Sequence, residues 1–246
     1  MNLGLKFLII LQFAHFPLPG QNKVRIPAWS FQDDHTTIVG LGVGLARAEQ
    51  NIQVNTKGLR FERLGRGVFL ISNNPPDEKP VTGPTDIIYG INISPFGTLS
   101  QNVAIDGISL NIFPTSVGRV NGILVSWPTF SMAETMNGLQ ISFLASVASD
   151  INGIQAGIGN SCQKKCIGIQ VALGANESTE FRGCQISPFY NKATTASSGL
   201  QLSMINLGEE FQGVQIGLFN KANNPEGLPV GLINISGKRI LPFMNW

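Results

Sequence analysis

GVQIGLFN, residues 213–220, returns almost at once as GLPVGLIN, residues 227–234. Each copy of this phrase begins with a glycine followed by an apolar or small residue. Searching backwards through the chain for this feature gives ten copies. Successive marking glycines lie 14–17 residues apart, at Gly90, Gly107, Gly122, Gly138, Gly153, Gly168, Gly183, Gly199, Gly213 and Gly227. Internal repetition at about 15 residues predicts an architecture built by stacking one small unit on the next.

Each copy has the alternation of a β-strand. In the first phrase Val214, Ile216 and Leu218 fall on one face, and Gln215 and Gly217 fall on the other. The linkers KANNPE, NESTEF and KATTASS are rich in the residues that favour turns. No helical period competes between residues 85 and 246, so the repeat region is predicted to be all-β.

Two arrangements of these strands are compatible with the pattern. An antiparallel outer-membrane β-barrel would repeat by hairpins, with short turns alternating with long loops. Here a single phrase repeats about every 15 residues, and short and long loops do not alternate. The pattern therefore favours a β-solenoid of parallel, in-register coils, with the barrel as the alternative.

Polar residues recur at fixed places in the repeat. Glutamine stands two residues after the glycine at Gln140, Gln155, Gln170, Gln185, Gln201 and Gln215. Asparagine stands seven residues after it at Asn160, Asn206, Asn220 and Asn234. In parallel coils each such set would stack into a ladder of amides, each donating a hydrogen bond to the next.

The aliphatic residues of the phrase are expected to form the core. A single coil cannot bury its apolar side alone, so neighbouring coils would have to cover it. We therefore expect these residues to point inwards, stacked coil upon coil: Leu200, Leu202, Met204, Val214, Ile216, Leu218, Leu228, Val230 and Leu232.

The two ends of the chain differ from the repeat. Residues 1–20 combine Lys6, an apolar run and the breakers Pro17, Pro19 and Gly20, which is typical of a signal peptide. Residues 21–85 carry a weaker pattern and are predicted to form a diverged N-terminal cap or irregular coils. Residues 86–246 form the repeat region, whose last segment is expected to close the open end.

The C-terminal half resembles the surface repeat-containing proteins of Leptospira and Bacteroidetes. Their hallmark is a run of G-[VLF]-Q-[IL]-G-L-[IFV]-N phrases followed by an L-P-[FIL]-x-N-[FW] tail, and residues 213–220, 227–234 and 241–246 match it. The resemblance covers about residues 90–246 and weakens towards the front, where Asn92, Ser109 and Leu124 replace glutamine. It implies an exported bacterial protein and supplies no catalytic or binding residues.

Candidate chemical groups are few. Cys162 and Cys166 flank QKK and are predicted to form a small disulfide loop in an oxidising compartment, which would leave Cys184 unpaired. The alternative is that both are inert buried thiols. The run Asp33, Asp34 and His35 is interpreted as a solvated turn. No catalytic, cofactor or metal site is predicted. The aromatic residues are expected to pack in the core or at corners, although an exposed binding surface is the alternative: Trp127, Phe130, Phe189, Tyr190, Phe219 and Trp246.

These features lead to a prediction of function by class. The net charge is +2 and the 17 Lys and Arg residues are scattered, which argues against a nucleic-acid partner. We expect a non-enzymatic protein exported to the cell surface, outer membrane or periplasm, with a structural or binding role through a long β face. Its partner is unknown; an envelope component, a glycan or a host surface protein would fit. The alternatives are a membrane barrel serving as pore or anchor and a carbohydrate-active solenoid enzyme.

Overall fold

A computed structural model describes residues 23–30, 35–46, 53–64, 84–223 and 226–245, and these form strands and turns throughout. The signal-like residues 1–20, the pair Asp33 and Asp34, and Trp246 lie outside the described residues. The strands are β1 (Lys23–Arg25), β2 (Ala28–Ser30), β3 (Thr36–Ala46), β4 (Val54–Leu64), β5 (Asp86–Ser94), β6 (Leu99–Asn111), β7 (Thr115–Ser126), β8 (Ser131–Ser142), β9 (Ala145–Ile186), β10 (Tyr190–Leu202), β11 (Ile205–Ile216), β12 (Phe219–Ala222), β13 (Gly227–Ser236) and β14 (Arg239–Met244).

The described strands stack in parallel, in the order in which they occur along the chain. Each coil is paired with the next at equivalent positions, so that Gly90 lies beside Gly107 and Gly199 lies beside Gly213. The chain is a β-solenoid of about 12 turns with about 15 residues per turn, which confirms the predicted fold class. The antiparallel alternative is wrong, because β13 with β14 is the one antiparallel pair among the described strands.

The marking glycines form a column that runs the length of the stack. Gly168, for example, has a φ of +133°, a conformation that residues with a side chain rarely adopt. A Cβ atom on Gly168 would also lie 1.9 Å from the carbonyl oxygen of Gly153 on the preceding coil. Glycine therefore recurs because the coils approach too closely for any side chain at this place.

The apolar core is a column of residues that lie two positions before the glycines. These side chains are 3% exposed or less: Ile38, Ile88, Ile105, Val120, Met136, Ile151, Cys166, Phe181 and Phe211. They stack coil upon coil, because the strands are in register. Smaller buried residues such as Ala148, Ala193 and Ala222 line another part of the interior.

The expected inward position of the aliphatic residues of the phrase is wrong. Ile216 is 42% exposed and Leu232 is 60% exposed, and the other seven are likewise exposed or half-buried. Strand alternation identifies which residues share a face, but it does not identify which face points inwards. The inner face carries Gln215 and its equivalents, and the aliphatic residues form the outer face.

The first coils enclose a charged cluster in place of glutamines. Arg60 stands two residues after Gly58, and its guanidinium lies 2.6 Å from Glu62 and 3.5 Å from Asp86. All three side chains are buried. Burial works against the charged form of Arg60, but the two carboxylates outweigh it and raise its pKa above the usual value. These coils therefore pair in the same register as the later ones, but their interior contains charged side chains where the later coils have glutamines.

The last strand reverses direction. Strand β14 pairs antiparallel with β13, with Ser236 beside Arg239 and Val230 beside Met244. Asn245 then donates hydrogen bonds from its side chain to the carbonyl oxygens of Asn234 and Arg239. The free edge of the final coil is thereby covered by the chain itself.

Replacement of one stacked glycine should be far more damaging than replacement of an unstacked one. We expect Gly168→Ala to lower the free energy of unfolding by about 2–5 kcal/mol, from backbone strain and overlap with the preceding carbonyl. Gly159→Ala is the matched control, because a Cβ there meets nothing within 4 Å. Urea unfolding followed by circular dichroism measures both; equal stability of the two variants would contradict the close approach of the glycine column.

Candidate functional site

Six glutamines form a continuous hydrogen-bonded ladder inside the solenoid, which confirms the predicted stacking. Each Nε2 donates to Oε1 of the glutamine on the preceding coil, over 3.1 Å from Gln155 to Gln140 and 2.7 Å from Gln170 to Gln155. The remaining steps, at Gln185, Gln201 and Gln215, are each 2.7 Å. All six side chains are buried, at 0–1% exposure. The ladder lets the interior hold polar groups with their hydrogen bonds satisfied.

A second ladder consists of asparagines and is longer than the sequence indicated. Asn160 donates to Asn176, and the row continues through Asn191, Asn206, Asn220 and Asn234 over 2.8–3.1 Å per step. Asn176 and Asn191 stand eight residues after their glycines instead of seven. A search at fixed spacing therefore misses them, although the structure places them in the same row.

The asparagine ladder also holds the turn backbone. Asn206 Nδ2 donates to the carbonyl oxygen of Ile216 on the next coil, and Asn220 makes the same bond to Val230. Each asparagine thus joins two coils through both side-chain and main-chain acceptors. The glutamine ladder ends at Gln215, because Pro229 occupies the equivalent place on the next coil and has no amide to donate.

The outer face of the same strands is apolar along its whole length. Each of the ten coils from Gly90 onwards contributes its first and third residues after the glycine, and no member of this set is buried. We call this set the apolar face: Ile91, Ile93, Ile108, Leu110, Ile123, Val125, Leu139, Ile141, Ile154, Ala156, Ile169, Val171, Cys184, Ile186, Leu200, Leu202, Val214, Ile216, Leu228 and Val230.

Charge is excluded from this sector of each coil from Gly90 onwards. The seven residues that follow each of the ten glycines contain no Asp, Glu, Lys, Arg or His. Charged side chains of both signs lie on the other sectors, where Lys192 pairs with Glu177 over 2.8 Å and Arg119 approaches Asp106 to 3.5 Å. The signal for this face was present in the sequence, but the inward assignment of the aliphatic residues concealed it.

Aromatic residues border the apolar face at the corner that follows it. Trp127 is 57% exposed and meets the ring of Phe143 edge-on, with centroids 4.5 Å apart. Phe130 and Phe189 are also exposed, so of the two expected places, core or corner, these residues occupy the corner. Phe219 and Tyr190 are half-buried. The corner thus extends the apolar character of the face instead of filling the interior.

The cysteines occupy two different environments. Cys162 and Cys166 are buried free thiols, so the predicted disulfide is not present in the structure. A hydrogen bond between the two thiols lowers the pKa of Cys162 and raises the pKa of Cys166. Cys184 lies on the apolar face between Ile169 and Leu200, and partial burial raises its pKa as well.

Features that would indicate catalysis or metal binding are sparse among the described residues. No group of three His, Cys, Asp or Glu side chains there is placed to hold a metal ion. Three open depressions of about 310–460 Å³ lie outside the apolar face, two lined by Glu134 and one by Glu210. None of the three brings together the two carboxylates that glycoside hydrolysis requires. The described part of the chain has no helix with the length and apolarity to cross a membrane.

Comparison with known proteins identifies no relative of this chain. No protein-family model, no curated protein and no solved structure matches the chain. The resemblance to bacterial surface repeat proteins therefore stays a prediction.

A carboxyl group placed in the glutamine ladder should make stability depend on pH. When protonated, the new side chain of Gln170→Glu keeps one donor for Gln155 and one acceptor for Gln185, but its ionised form loses the donor and buries a charge. Burial raises the pKa of the carboxyl in the folded state, so stability is retained below the unfolded pKa of about 4.3 and is lost as pH rises. The loss should approach about 1.4 kcal/mol per pH unit until the folded pKa is reached.

Urea unfolding of Gln170→Glu between pH 4 and pH 8 measures this slope relative to the native chain. Gln163→Glu makes the same change at an exposed position on a neighbouring turn and should show almost no added slope. Parallel pH profiles for the two variants would mean that the ladder position is open to water.

Charge on the apolar face should be tolerated by the fold, unlike charge in the core. We expect Ile216→Asp to change the free energy of unfolding by about 1 kcal/mol or less, because its side chain is 42% exposed. Phe211→Asp, five residues earlier, places the same carboxylate at a position that is 0% exposed and should prevent folding. Circular dichroism and urea unfolding at a protein concentration low enough for the chain to be monomeric test both variants, and a large loss of stability in Ile216→Asp under that condition would restore the inward assignment.

Proposed function

We propose that the chain is an exported, non-enzymatic protein of the bacterial cell surface or envelope, and that it acts through the apolar face. The observation that carries the proposal is the exclusion of charge from seven successive residues in each of ten coils. A sector kept free of charge over the length of a solenoid is typical of a surface that is covered when the protein is in place.

The size of the face supports a binding role. Ten coils at about 4.8 Å per coil give a length of about 48 Å. The five residues from each glycine to the corner, which include the apolar face and exposed corner residues such as Leu173 and Met204, give a width of about 16 Å. The resulting area of about 800 Å² exceeds the roughly 300–600 Å² of the largest apolar patch on an ordinary monomer. Export is supported by the signal-like residues 1–20 and by the resemblance to surface repeat proteins.

The interior of the solenoid also suits a rigid structural role. The two amide ladders and the glycine column are made of identical contacts repeated from coil to coil. Such a stack presents its outer side chains in fixed rows, which favours a surface for binding over a single deep pocket.

Cell fractionation tests the proposal with the full chain and two matched variants. Native protein is expected in the envelope fraction, whereas Val171→Glu/Leu202→Glu, which places two charges on the face, should shift at least tenfold towards the soluble exported fraction. Asn152→Glu/Gln163→Glu adds the same charge at exposed positions outside the face and should fractionate like the native chain. Native protein that remains in the cytosol, or a face variant that stays with the envelope, would refute the proposal.

A further inference from the structure

We propose that the apolar face is the interface of a homodimer, in which two copies of the chain pack these faces against each other. The inference identifies the partner of the face as a second copy of the chain. Its biological setting rests on the proposed function. It follows from three properties of the face: its area, its lack of charge and the regular spacing of its side chains.

The area of the face is appropriate for a stable dimer. Standard protein–protein interfaces bury about 800 Å² on each partner, which equals the approximate area of the face together with the exposed corner residues beside it. The outward side chains are those of the strands themselves, so the surface has the form of one layer of a β-sandwich. Two such layers pack at a separation of about 10 Å when each covers the apolar side of the other.

The spacing of the side chains favours a second copy over an irregular surface. Because the coils are in register, Val214 lies beside Leu228 and Leu200 lies beside Val214, so each row repeats at the spacing of adjacent strands, about 4.8 Å. An identical copy presents rows with the same spacing, which lets the side chains of one face fit between those of the other along the whole length. A lipid surface has no such period.

The distribution of charge on and around the face also favours a second copy of the chain as the partner. Two identical faces without charge approach each other with no like-charge repulsion and leave no buried ion unpaired. Residues just before the glycines border the face and carry both signs, as Asp106, Arg182 and Glu226 do. That border lacks the excess of Lys and Arg by which proteins bind anionic lipid surfaces. A symmetric pairing of the face with itself is the arrangement common in soluble oligomers.

Sedimentation of the full mature chain across protein concentration tests the proposal. The native chain should sediment at twice the mass of one chain at micromolar concentration. Val171→Glu/Leu202→Glu should raise the dissociation constant at least about 100-fold, since each dimer would enclose four unpaired carboxylates. Asn152→Glu/Gln163→Glu should dimerise like the native chain. Circular dichroism of the variants checks that the solenoid is intact, and a monomeric native chain at about 100 µM would overturn the proposal.

Cys184 provides a second measurement, in which the native chain itself reports whether the face is covered. It is the cysteine of the apolar face, whereas Cys162 and Cys166 are buried in the interior. Labelling of Cys184 by a maleimide should slow at least tenfold as concentration rises through the dimerisation range, with Cys184→Ser giving the background. A labelling rate that does not change while the chain associates would place the interface elsewhere and refute the proposal.

Flotation with neutral phosphatidylcholine vesicles separates the dimer from a lipid-bound monomer. A dimer with both faces covered should remain at the bottom of the gradient, whereas a monomeric chain that floats would overturn the proposal in favour of lipid. Fractionation distinguishes this failure from failure of the proposed function: a monomer that needs its face to reach the envelope refutes the dimer alone. A dimer whose face variant stays in the envelope refutes the proposed function alone.

Discussion

The structure depends on in-register parallel stacking, which places each residue beside its equivalent on the next coil. Gly183 lies beside Gly199, Gln185 beside Gln201 and Ile186 beside Leu202. Under this constraint a residue type is favoured when two side chains of that type, on adjacent coils, interact favourably with each other. Amides satisfy the condition inside, because each has a donor and an acceptor, and aliphatic side chains satisfy it outside. Charges do not, because like charges would be stacked about 4.8 Å apart.

The division between a polar interior and an apolar exterior follows from the same constraint. An isolated glutamine in a protein interior would leave hydrogen-bonding groups unpaired, at a cost of about 1–3 kcal/mol for each group. In the ladder Gln170 both donates and accepts, so this cost is largely avoided. The residues two positions before the glycines, such as Met136 and Phe181, supply the apolar core that the glutamine column lacks. The aliphatic residues that follow the glycines are then available for contacts with another molecule.

Fold class, repeat length and ladders were predictable from the sequence, because all three depend on spacing and Gly168, Gln170 and their equivalents recur at nearly constant intervals. The direction of each face was not predictable from alternation, which is unchanged when the inside and the outside are exchanged. General hydrophobicity then favoured the wrong choice for Ile216. The candidate site was missed for this reason, although the absence of charge after each glycine from Gly90 to Gly227 indicated it. Asn176 was missed because its coil has one additional residue before the ladder position.

The reversed strand β14 has a consequence for growth along the solenoid axis. A stack of parallel coils with an open end is a template on which the first coil of another molecule could continue, and repetition of that step would give a filament. Here the final coil is covered by a strand of opposite direction, and Pro229 on that same coil ends the glutamine row. The C-terminal end is therefore closed to head-to-tail stacking, whereas lateral contacts between solenoids are unaffected by this strand.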